Sequence, residues 1–191
     1  MSLVEPIRDR GKVKQILADL SERKDPLGQR EYLLFAVGVF TGLRVSDLVR
    51  LRVGDLRGRT LTLTEEKTNK RQHLPVAEEL HKIARKRFPD APDDALVFPS
   101  PRLPGKPITT RTALNDMHRI GAAAGIDGGI GCHTLRKTFG YHQYRIDKDI
   151  AFLQDWYQHT SSTVTLRYIG ITAEQKRQKA NRLGRYFRES V

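Results

Sequence analysis

A histidine and a tyrosine near the end of the chain have the spacing of a reactive pair. Tyr168 follows His159 by nine residues, and the segment between them is polar enough to begin a helix. Two arginines, Arg44 and Arg136, and an isolated lysine, Lys67, lie upstream. These residues supply a phenol nucleophile, two guanidinium groups and proton donors or acceptors. Such a set can break a phosphodiester without a metal ion.

Each arginine lies beside a second group that can act with it. The sequence Thr-Gly-Leu-Arg at residues 41–44 puts Arg44 at a turn with Asp47 nearby, and a guanidinium can engage two phosphate oxygens. His133 and Arg136 are three residues apart, so they share one face of a helix. The ordinary alternatives are an Arg44–Asp47 ion pair at a helix start, and a capping histidine with a surface arginine.

The other candidates also have ordinary alternatives. Lys67 lies in a predicted hairpin, where a lysine is usually a solvated edge charge, and Lys70 and Arg71 fit the same description. His159 can be a core histidine bonded to the backbone, and Tyr168 can be a packing residue. These alternatives do not explain why all six groups, with His133 among them, occur in this order and spacing.

The composition favours a polyanionic partner. The chain has 191 residues, 34 Lys and Arg against 22 Asp and Glu, a net charge of +12 and a pI near 10.1. We therefore expect a nucleic-acid partner, with a merely basic soluble protein as the alternative. The single Cys132 excludes an intramolecular disulfide and a cysteine-rich zinc site. We find no transmembrane segment or signal peptide, which predicts a cytoplasmic protein with no membrane partner.

Hydrophobic periodicity predicts a mostly α (α+β) fold. The first helix is expected around Val13 to Leu20 and is closed by residues 25–28, and a buried helix follows at residues 32–40. Ser46 is a good N-cap for a short helix through Leu51. Further helices are predicted at about residues 77–88, 110–124, 134–146, 150–158, 162–168 and 173–188.

A small antiparallel sheet of three strands is predicted between Val53 and Val76. Residues 60–64 alternate strictly between threonine and leucine, and residues 73–76 resume extended structure, with Lys67 near the second turn. A long surface loop with many prolines follows, from Pro89 to Pro107.

Four pieces of sequence together carry a family resemblance. They are residues 41–48, Lys67 in the hairpin, the sequence His-Thr-Leu-Arg-Lys-Thr-Phe-Gly at residues 133–140, and residues 159–168. With them the chain resembles the catalytic domain of the tyrosine recombinase (phage integrase) family. The resemblance runs from about Gly28 to Ile171, nearly the whole of that domain.

The resemblance implies an enzyme that cleaves and rejoins DNA strands through a covalent 3′-phosphotyrosine, with no cofactor and no metal. The catalytic residues it implies are the phosphate clamps Arg44 and Arg136, the general acid Lys67, the proton-transfer groups His133 and His159, and the nucleophile Tyr168, with Asp47 in support. Either histidine can serve as the base. Lys70, Arg71 and Lys137 are the further candidates for DNA contacts.

Two departures from the family pattern stand out. Members often have Leu-Gly before the second histidine, whereas this chain has Tyr157 and Gln158, which leaves the backbone less free there. Many members also carry an N-terminal domain that clamps the DNA, and residues 1–27 are too short to be one. We therefore expect an N-terminal helical segment at residues 1–27, a catalytic core at 28–172 and a C-terminal helix at 173–191. Ala180, Leu183 and Phe187 form an apolar stripe on that helix. The stripe either packs on its own domain or, as the resemblance suggests, docks on a neighbouring protomer.

The expected partners follow from the same resemblance. They are a double-stranded recombination site, further copies of the chain as a dimer on one site and a tetramer in synapsis, and accessory DNA-bending or directionality proteins. The setting is the nucleoid, with a phage or mobile element as the source of such enzymes. Two alternatives are a catalytically silent DNA-binding module of the same fold and a type IB topoisomerase, although the short chain disfavours the latter.

Overall fold

The structure is a computed structural model that describes residues 4–64 and 71–188. The chain forms two units, residues 1–139 and residues 140–191, and the boundary falls inside a single helix. The fold is mostly helical with a small antiparallel sheet, which confirms the predicted fold class.

The first unit contains most of the elements. In chain order they are α1 (Arg10–Glu22), α2 (Pro26–Thr41), α3 (Val45–Leu48), α4 (Val53–Arg57), β1 (Thr60–Thr64), β2 (Arg71–Pro75), α5 (Glu78–Arg87), α6 (Thr110–Ala123) and the first half of α7 (Cys132–Asp147). The second unit contains the rest of α7, then α8 (Ile150–Tyr157), α9 (Ser162–Tyr168) and α10 (Ile171–Arg188).

Helix α2 is the centre of the first unit. Its residues Leu34, Phe35, Ala36 and Val37 are fully buried, because α1, α3, α5 and α6 all pack against it. Burial of each of its large apolar side chains contributes about 1.5–3 kcal/mol. This burial fixes the C-terminal end of α2, from which the first candidate arginine is presented.

Two helix boundaries differ from the prediction. Residues 25–28 begin α2 and do not close α1, since Asp25 is an N-cap whose carboxylate accepts from the Gly28 N–H at 2.8 Å. Pro26 then occupies the first helical position, where its missing N–H costs nothing. The short helix α3 begins at Val45 with Arg44 as its N-cap and ends at Leu48, so Ser46 lies inside it and Leu51 lies beyond its end.

The sheet has two strands in the described part of the chain, where three were predicted. β1 pairs antiparallel with β2, from Thr60 opposite Pro75 to Thr64 opposite Arg71. Two isolated bridges join further extended segments, one between Arg52 and Leu96 and one between Pro99 and Pro107. Proline has no N–H to donate, so such a bridge does not extend into a strand.

Two buried carboxylates join α2 to α6. Glu31 and Asp116 are 1% and 0% exposed, and Arg119 donates to both of them. Arg23 forms a second ion pair with Glu31. Arg30 forms a second ion pair with Asp116, in which Nε lies 2.7 Å from Oδ2. Since each buried carboxylate has two guanidinium partners, neither is left as an uncompensated buried charge.

In the second unit, α9 packs against α8 and α10. Leu153, Tyr157 and Ile169 form its interior. Two residues of the apolar stripe predicted on α10, Leu183 and Phe187, are 55% and 65% exposed. None of the helices in residues 4–64 and 71–188 is long and apolar enough to cross a membrane.

Candidate active site

The turn after α2 holds the backbone of Arg44 in one position. Gly42 ends α2 in the left-handed conformation, with φ 61°, and its N–H donates to the Gly38 carbonyl at 2.9 Å. The Thr41 hydroxyl donates to the Val37 carbonyl at 2.7 Å, and Leu43 is buried. Arg44 itself is exposed. The turn therefore presents a guanidinium to solvent from a fixed backbone.

Arg136 is tied to the same turn from α7. Its side chain is buried, 6% exposed, and its Nη1 donates to the Gly42 carbonyl at 2.7 Å. One helical turn further along α7, Phe139 lies against Gly42, where a Cβ would come within 2.5 Å of the Phe139 ring. Only glycine fits there, because it needs neither that space nor a negative φ. Arg136 and Phe139 thus seat α7 on the turn that carries Arg44.

His133 lies one turn before Arg136 and is surrounded by positive charge. The pKa of His133 is lowered from its ordinary value of 6.5, first by partial burial of the imidazole and then by Arg136, Lys137 and Arg44. Both effects disfavour the imidazolium. His133 is therefore neutral at pH 7 and can accept a proton.

The beginning of α7 is held by bonds on both sides. The Thr134 hydroxyl accepts from the Gly131 N–H at 3.0 Å, and the Thr138 hydroxyl accepts from the Ile7 N–H at 2.9 Å. Lys137, predicted as a DNA contact, donates from Nζ to the Val4 carbonyl at 2.7 Å. The N-terminal segment therefore lies along the part of α7 that carries the candidate residues.

In the second unit, the end of α8 sets the position of His159. Gln158 adopts the left-handed conformation, with φ 54°. Its N–H donates to the Asp155 carbonyl at 2.9 Å, and the His159 N–H donates to the Gln154 carbonyl at 3.0 Å. This pair of bonds is a Schellman motif, in which glycine is the usual left-handed residue.

His159 is also held by α9. Its Nδ1 lies 3.0 Å from the hydroxyl of the buried Thr165, and that hydroxyl donates to the Ser161 carbonyl at 3.2 Å. A hydroxyl has one proton, so the arrangement that satisfies both contacts has Nδ1–H donating to Thr165. In the neutral imidazole, Nε2 then carries the lone pair.

Tyr168 is the last residue of α9 and packs against two aromatic rings. Its ring centroid lies 5.3 Å from that of His159 and 5.5 Å from that of Tyr157, both in edge-to-face geometry. Ser161 caps α9, with its hydroxyl accepting from the Val164 N–H at 3.3 Å. Helix α9 thus begins close to His159 in the sequence and ends with the Tyr168 ring packed against the His159 imidazole.

The predicted site residues therefore form two groups, one in each unit. Arg44, His133 and Arg136 are brought together in the first unit, and His159 and Tyr168 in the second. Asp47 lies in the first turn of α3, and Arg71 is exposed at the start of β2. Lys67 and Lys70 lie outside the described residues.

Four residues of these groups were not singled out from the sequence as parts of a site. Gly42, Tyr157, Gln158 and Thr165 each hold a candidate residue in place. Gly42 and Thr165 lie within the pieces that carry the family resemblance, and the unusual Tyr-Gln pair precedes His159, but no sequence signal indicated a positioning role for any of them. In the chain as far as it is described, no three His, Cys, Asp or Glu side chains are grouped as a metal site.

Comparison with known proteins decides the family. The model of the phage integrase family matches residues 9–175. The chain belongs to the phage integrase family. Its match therefore includes both groups of candidate residues.

Curated relatives agree with this assignment. The chain is 37% identical over 178 residues to the probable integrase/recombinase YoeC of Bacillus subtilis, with 93% of this chain and 95% of YoeC covered. It is 28% identical over 165 residues to the tyrosine recombinase XerA of Pyrococcus furiosus, covering 83% of this chain and 56% of XerA. The chain thus spans nearly all of YoeC but little more than half of XerA.

Solved structures share the fold. A crystal structure of XerA recombinase aligns with a TM-score of 0.71 at 25% identity, covering 91% of this chain and 62% of that one. The XerH recombinase in a post-cleavage complex with a palindromic difH substrate aligns with a TM-score of 0.69 at 22% identity, covering 94% of this chain and 53% of XerH.

Proposed function

We propose that this integrase-family chain is a site-specific DNA recombinase that cleaves and rejoins strands through a 3′-phosphotyrosine on Tyr168. The observation that carries the proposal is the bond from Arg136 to the Gly42 carbonyl. Burying a guanidinium is costly unless it is well bonded, and a module that only binds DNA can use exposed cations. A buried arginine fixed beside a second arginine suits a phosphate at which charge develops.

The chemical step follows from the residue types. The Tyr168 oxygen attacks phosphorus and gives its proton to a base, while the bond from phosphorus to the 5′ oxygen breaks. Arg44 and Arg136 stabilise the charge on the non-bridging oxygens, more in the transition state than in the ground state. The 5′ oxygen leaves as a hydroxyl. A 5′-hydroxyl from another strand then attacks the phosphotyrosine and restores both the phosphodiester and the phenol.

Two histidines are candidates for the base. His133 is neutral at pH 7 because its pKa is lowered, so it can accept the phenol proton. His159 packs against Tyr168, and its Nε2 carries the lone pair in the tautomer that Thr165 favours. The phenol has a pKa near 10 in water, so one of these groups is needed to reach the phenolate at neutral pH.

Lys67 is our candidate for the acid that protonates the departing 5′ oxygen. It belongs to the segment between the paired residues Thr64 and Arg71, which close the ladder of β1 and β2. An ammonium carries the proton that the leaving alkoxide needs. Asp47 supports the turn that carries Arg44. No step of this scheme calls on a metal ion or a cofactor.

The proposed partner is a double-stranded recombination site. The net charge of +12 favours DNA, and Arg71 is exposed for a phosphate contact, with Lys70 and Lys137 as further candidates. XerH has been solved with a palindromic substrate. By analogy, we propose a dimer on one site and a tetramer in synapsis, with accessory DNA-bending proteins, in the nucleoid of the cytoplasm. Docking of α10 on a neighbouring protomer would join the copies.

The DNA sequence that the protein cleaves must be identified before recombination can be tested. Sheared genomic DNA of the source organism is incubated with the protein, covalent adducts are isolated in detergent, and the enriched sequence is placed twice in a supercoiled plasmid. Deletion or inversion between the two copies, in buffer with EDTA, is the expected result. Relaxation of a plasmid that lacks the site would indicate a topoisomerase, and binding without any adduct a silent DNA-binding module.

A further inference from the structure

Three rings meet at the end of α8 and α9. Tyr157, the last residue of α8, is 1% exposed, and its ring centroid lies 5.2 Å from that of His159 and 5.5 Å from that of Tyr168. His159 and Tyr168 are themselves 5.3 Å apart. Each ring therefore touches the other two, and Tyr157 is the buried member of the three.

A glycine in α7 makes room for Tyr157. A Cβ at Gly140 would lie 2.3 Å from the Tyr157 hydroxyl oxygen and 2.7 Å from a methyl carbon of Ile169. Gly140 is inside a helix, where glycine is about 0.5–1 kcal/mol less favourable than alanine, and its φ is not positive. Backbone conformation does not explain this glycine. The space taken by the Tyr157 phenol does.

The backbone between Tyr157 and His159 fixes both rings at once. Only Gln158 separates them, and the two bonds of the Schellman motif hold it in the left-handed conformation. Tyr168 ends a helix of seven residues and is half-buried. The rings of Tyr157 and His159 limit where its own ring can lie.

We propose that Tyr157 is a positioning residue for the nucleophile, with its ring, seated against Gly140, holding the Tyr168 phenol beside His159. The proposal rests on the proposed function in one respect, namely that Tyr168 is the nucleophile. A misplacement of about 1 Å at a reacting group can cost about 10²-fold in rate. The Tyr157 ring contacts the Tyr168 ring, while the Tyr157 hydroxyl lies against Gly140. Substitution can therefore remove the hydroxyl and keep the ring.

The test compares Tyr157→Leu with Tyr157→Phe. Leucine fills part of the space but removes the ring, whereas phenylalanine keeps it. Trp156→Leu is the matched control, because it removes the neighbouring buried aromatic of α8, whose ring lies 5.2 Å from that of Phe152. Thermal unfolding identifies any loss of folding that the two leucine variants share.

Two measurements are made on each variant. The first is the ring resonance of Tyr168 in DNA-free protein labelled with ¹³C-tyrosine, assigned among the six tyrosines by its loss in Tyr168→Phe. The second is single-turnover adduct formation at saturating protein on the duplex recovered from genomic DNA. We expect Tyr157→Leu to shift the Tyr168 resonance and to slow adduct formation by about 10- to 100-fold with DNA affinity unchanged. Tyr157→Phe should resemble the wild type in both.

Other results overturn the proposal in distinguishable ways. If Tyr157→Leu leaves both the resonance and the rate unchanged, or if Trp156→Leu slows the reaction equally, Tyr157 is ordinary packing and the proposed function stands. If the wild type forms no adduct on any recovered DNA, the proposed function fails, and the role of Tyr157 towards a nucleophile fails with it.

Discussion

The Arg136 guanidinium donates to the carbonyl of Gly42 at 2.7 Å, two residues before Arg44. One hydrogen bond therefore links the two arginines of the proposed phosphate site through the turn after α2. Phe139 packs on the same glycine from the next turn of α7. The position of each arginine thus depends on that of the other.

Gly42→Ala is expected to disrupt this link. Alanine in the left-handed conformation costs about 1–2 kcal/mol, and the clash with Phe139 adds about 1–3 kcal/mol. Gly125→Ala is the matched control, since Gly125 has φ 62° and open space around its Cβ position. Thermal unfolding and adduct formation are measured for both.

Gly42→Ala should lower stability by about 1–3 kcal/mol more than Gly125→Ala, and it should slow cleavage at least about tenfold more. Equal effects of the two substitutions would mean that the packing of Phe139 on the turn does not govern the position of Arg44.

The lowered pKa of His133 predicts a pH dependence. His133 binds its second imidazole proton less readily in the folded state than in the unfolded state, where its pKa has the ordinary value of 6.5. The contribution of His133 to stability is therefore complete above pH 6.5 and is lost as the pH falls through the lower pKa of the folded state. If His133 acts as the neutral base, adduct formation should persist below pH 6.5 and decline only as the folded state takes up the proton.

NMR titration of the imidazole, assigned with His133→Gln, measures this pKa directly. Lys137→Met removes one of the charges that lower it, so the midpoint should rise, and the acidic limb of the cleavage profile should move with it. Lys148→Met is the control. A His133 midpoint above 6.5, or a cleavage limb that does not follow it, contradicts a neutral His133 in the reaction.

Gln158→Gly should stabilise the protein. Glycine is favoured at Gln158 because the backbone there is left-handed, but glycine also has more conformational entropy in the unfolded state. The net increase in the free energy of unfolding is about 0.5–1 kcal/mol. Cleavage should be unchanged, because the Schellman bonds that set Tyr157 and His159 are kept. Lys148→Gly, at φ 61°, should give a similar gain away from those rings. If Lys148→Gly stabilises the protein and Gln158→Gly does not, the Gln158 side chain contributes more to stability than its left-handed backbone costs.

The exposed apolar residues of α10 predict a role in assembly. Leu183→Glu and Phe187→Glu replace largely exposed apolar side chains, so the monomer should stay folded and bind one DNA site. The joining of two DNA sites and recombination should be lost. We expect the same losses in a chain that is truncated after Thr172. Asn181→Glu, exposed on the same helix, is the control for added charge. The assignment fails if the glutamate variants unfold, or if native mobility-shift gels show synapsis at the wild-type level.

Local signals in the sequence predicted part of the fold well. Helix α9 has the predicted bounds, since Ser161 caps its start and its last residue is Tyr168. Helix α4 was not predicted, because Gly54 and the residues around Gly58 resemble a turn. It forms because Val53 and Gly54 donate to the Ala95 and Asp93 carbonyls, and sequence periodicity does not reveal such long-range bonds.

The sequence likewise predicted which residues belong to the candidate site, but it did not predict what those residues contact. Spacing and family resemblance singled out Arg136 and Tyr168. The bond from Arg136 to Gly42 depends on where α7 packs, and the rings around Tyr168 depend on the left-handed turn at Gln158. A glutamine gives no local signal for that conformation, so the role of Tyr157 emerged only with the structure.

The identity of the nucleophile is the central claim, and one measurement tests it most directly. The protein is incubated with a nicked suicide duplex of its recovered site, and the detergent-resistant adduct is digested and analysed by mass spectrometry. We expect the 3′-phosphate on Tyr168, with Tyr168→Phe binding the duplex but forming no adduct, and with Tyr141→Phe and Tyr144→Phe retaining it. An adduct that persists in Tyr168→Phe, or that maps to another residue, would contradict the account.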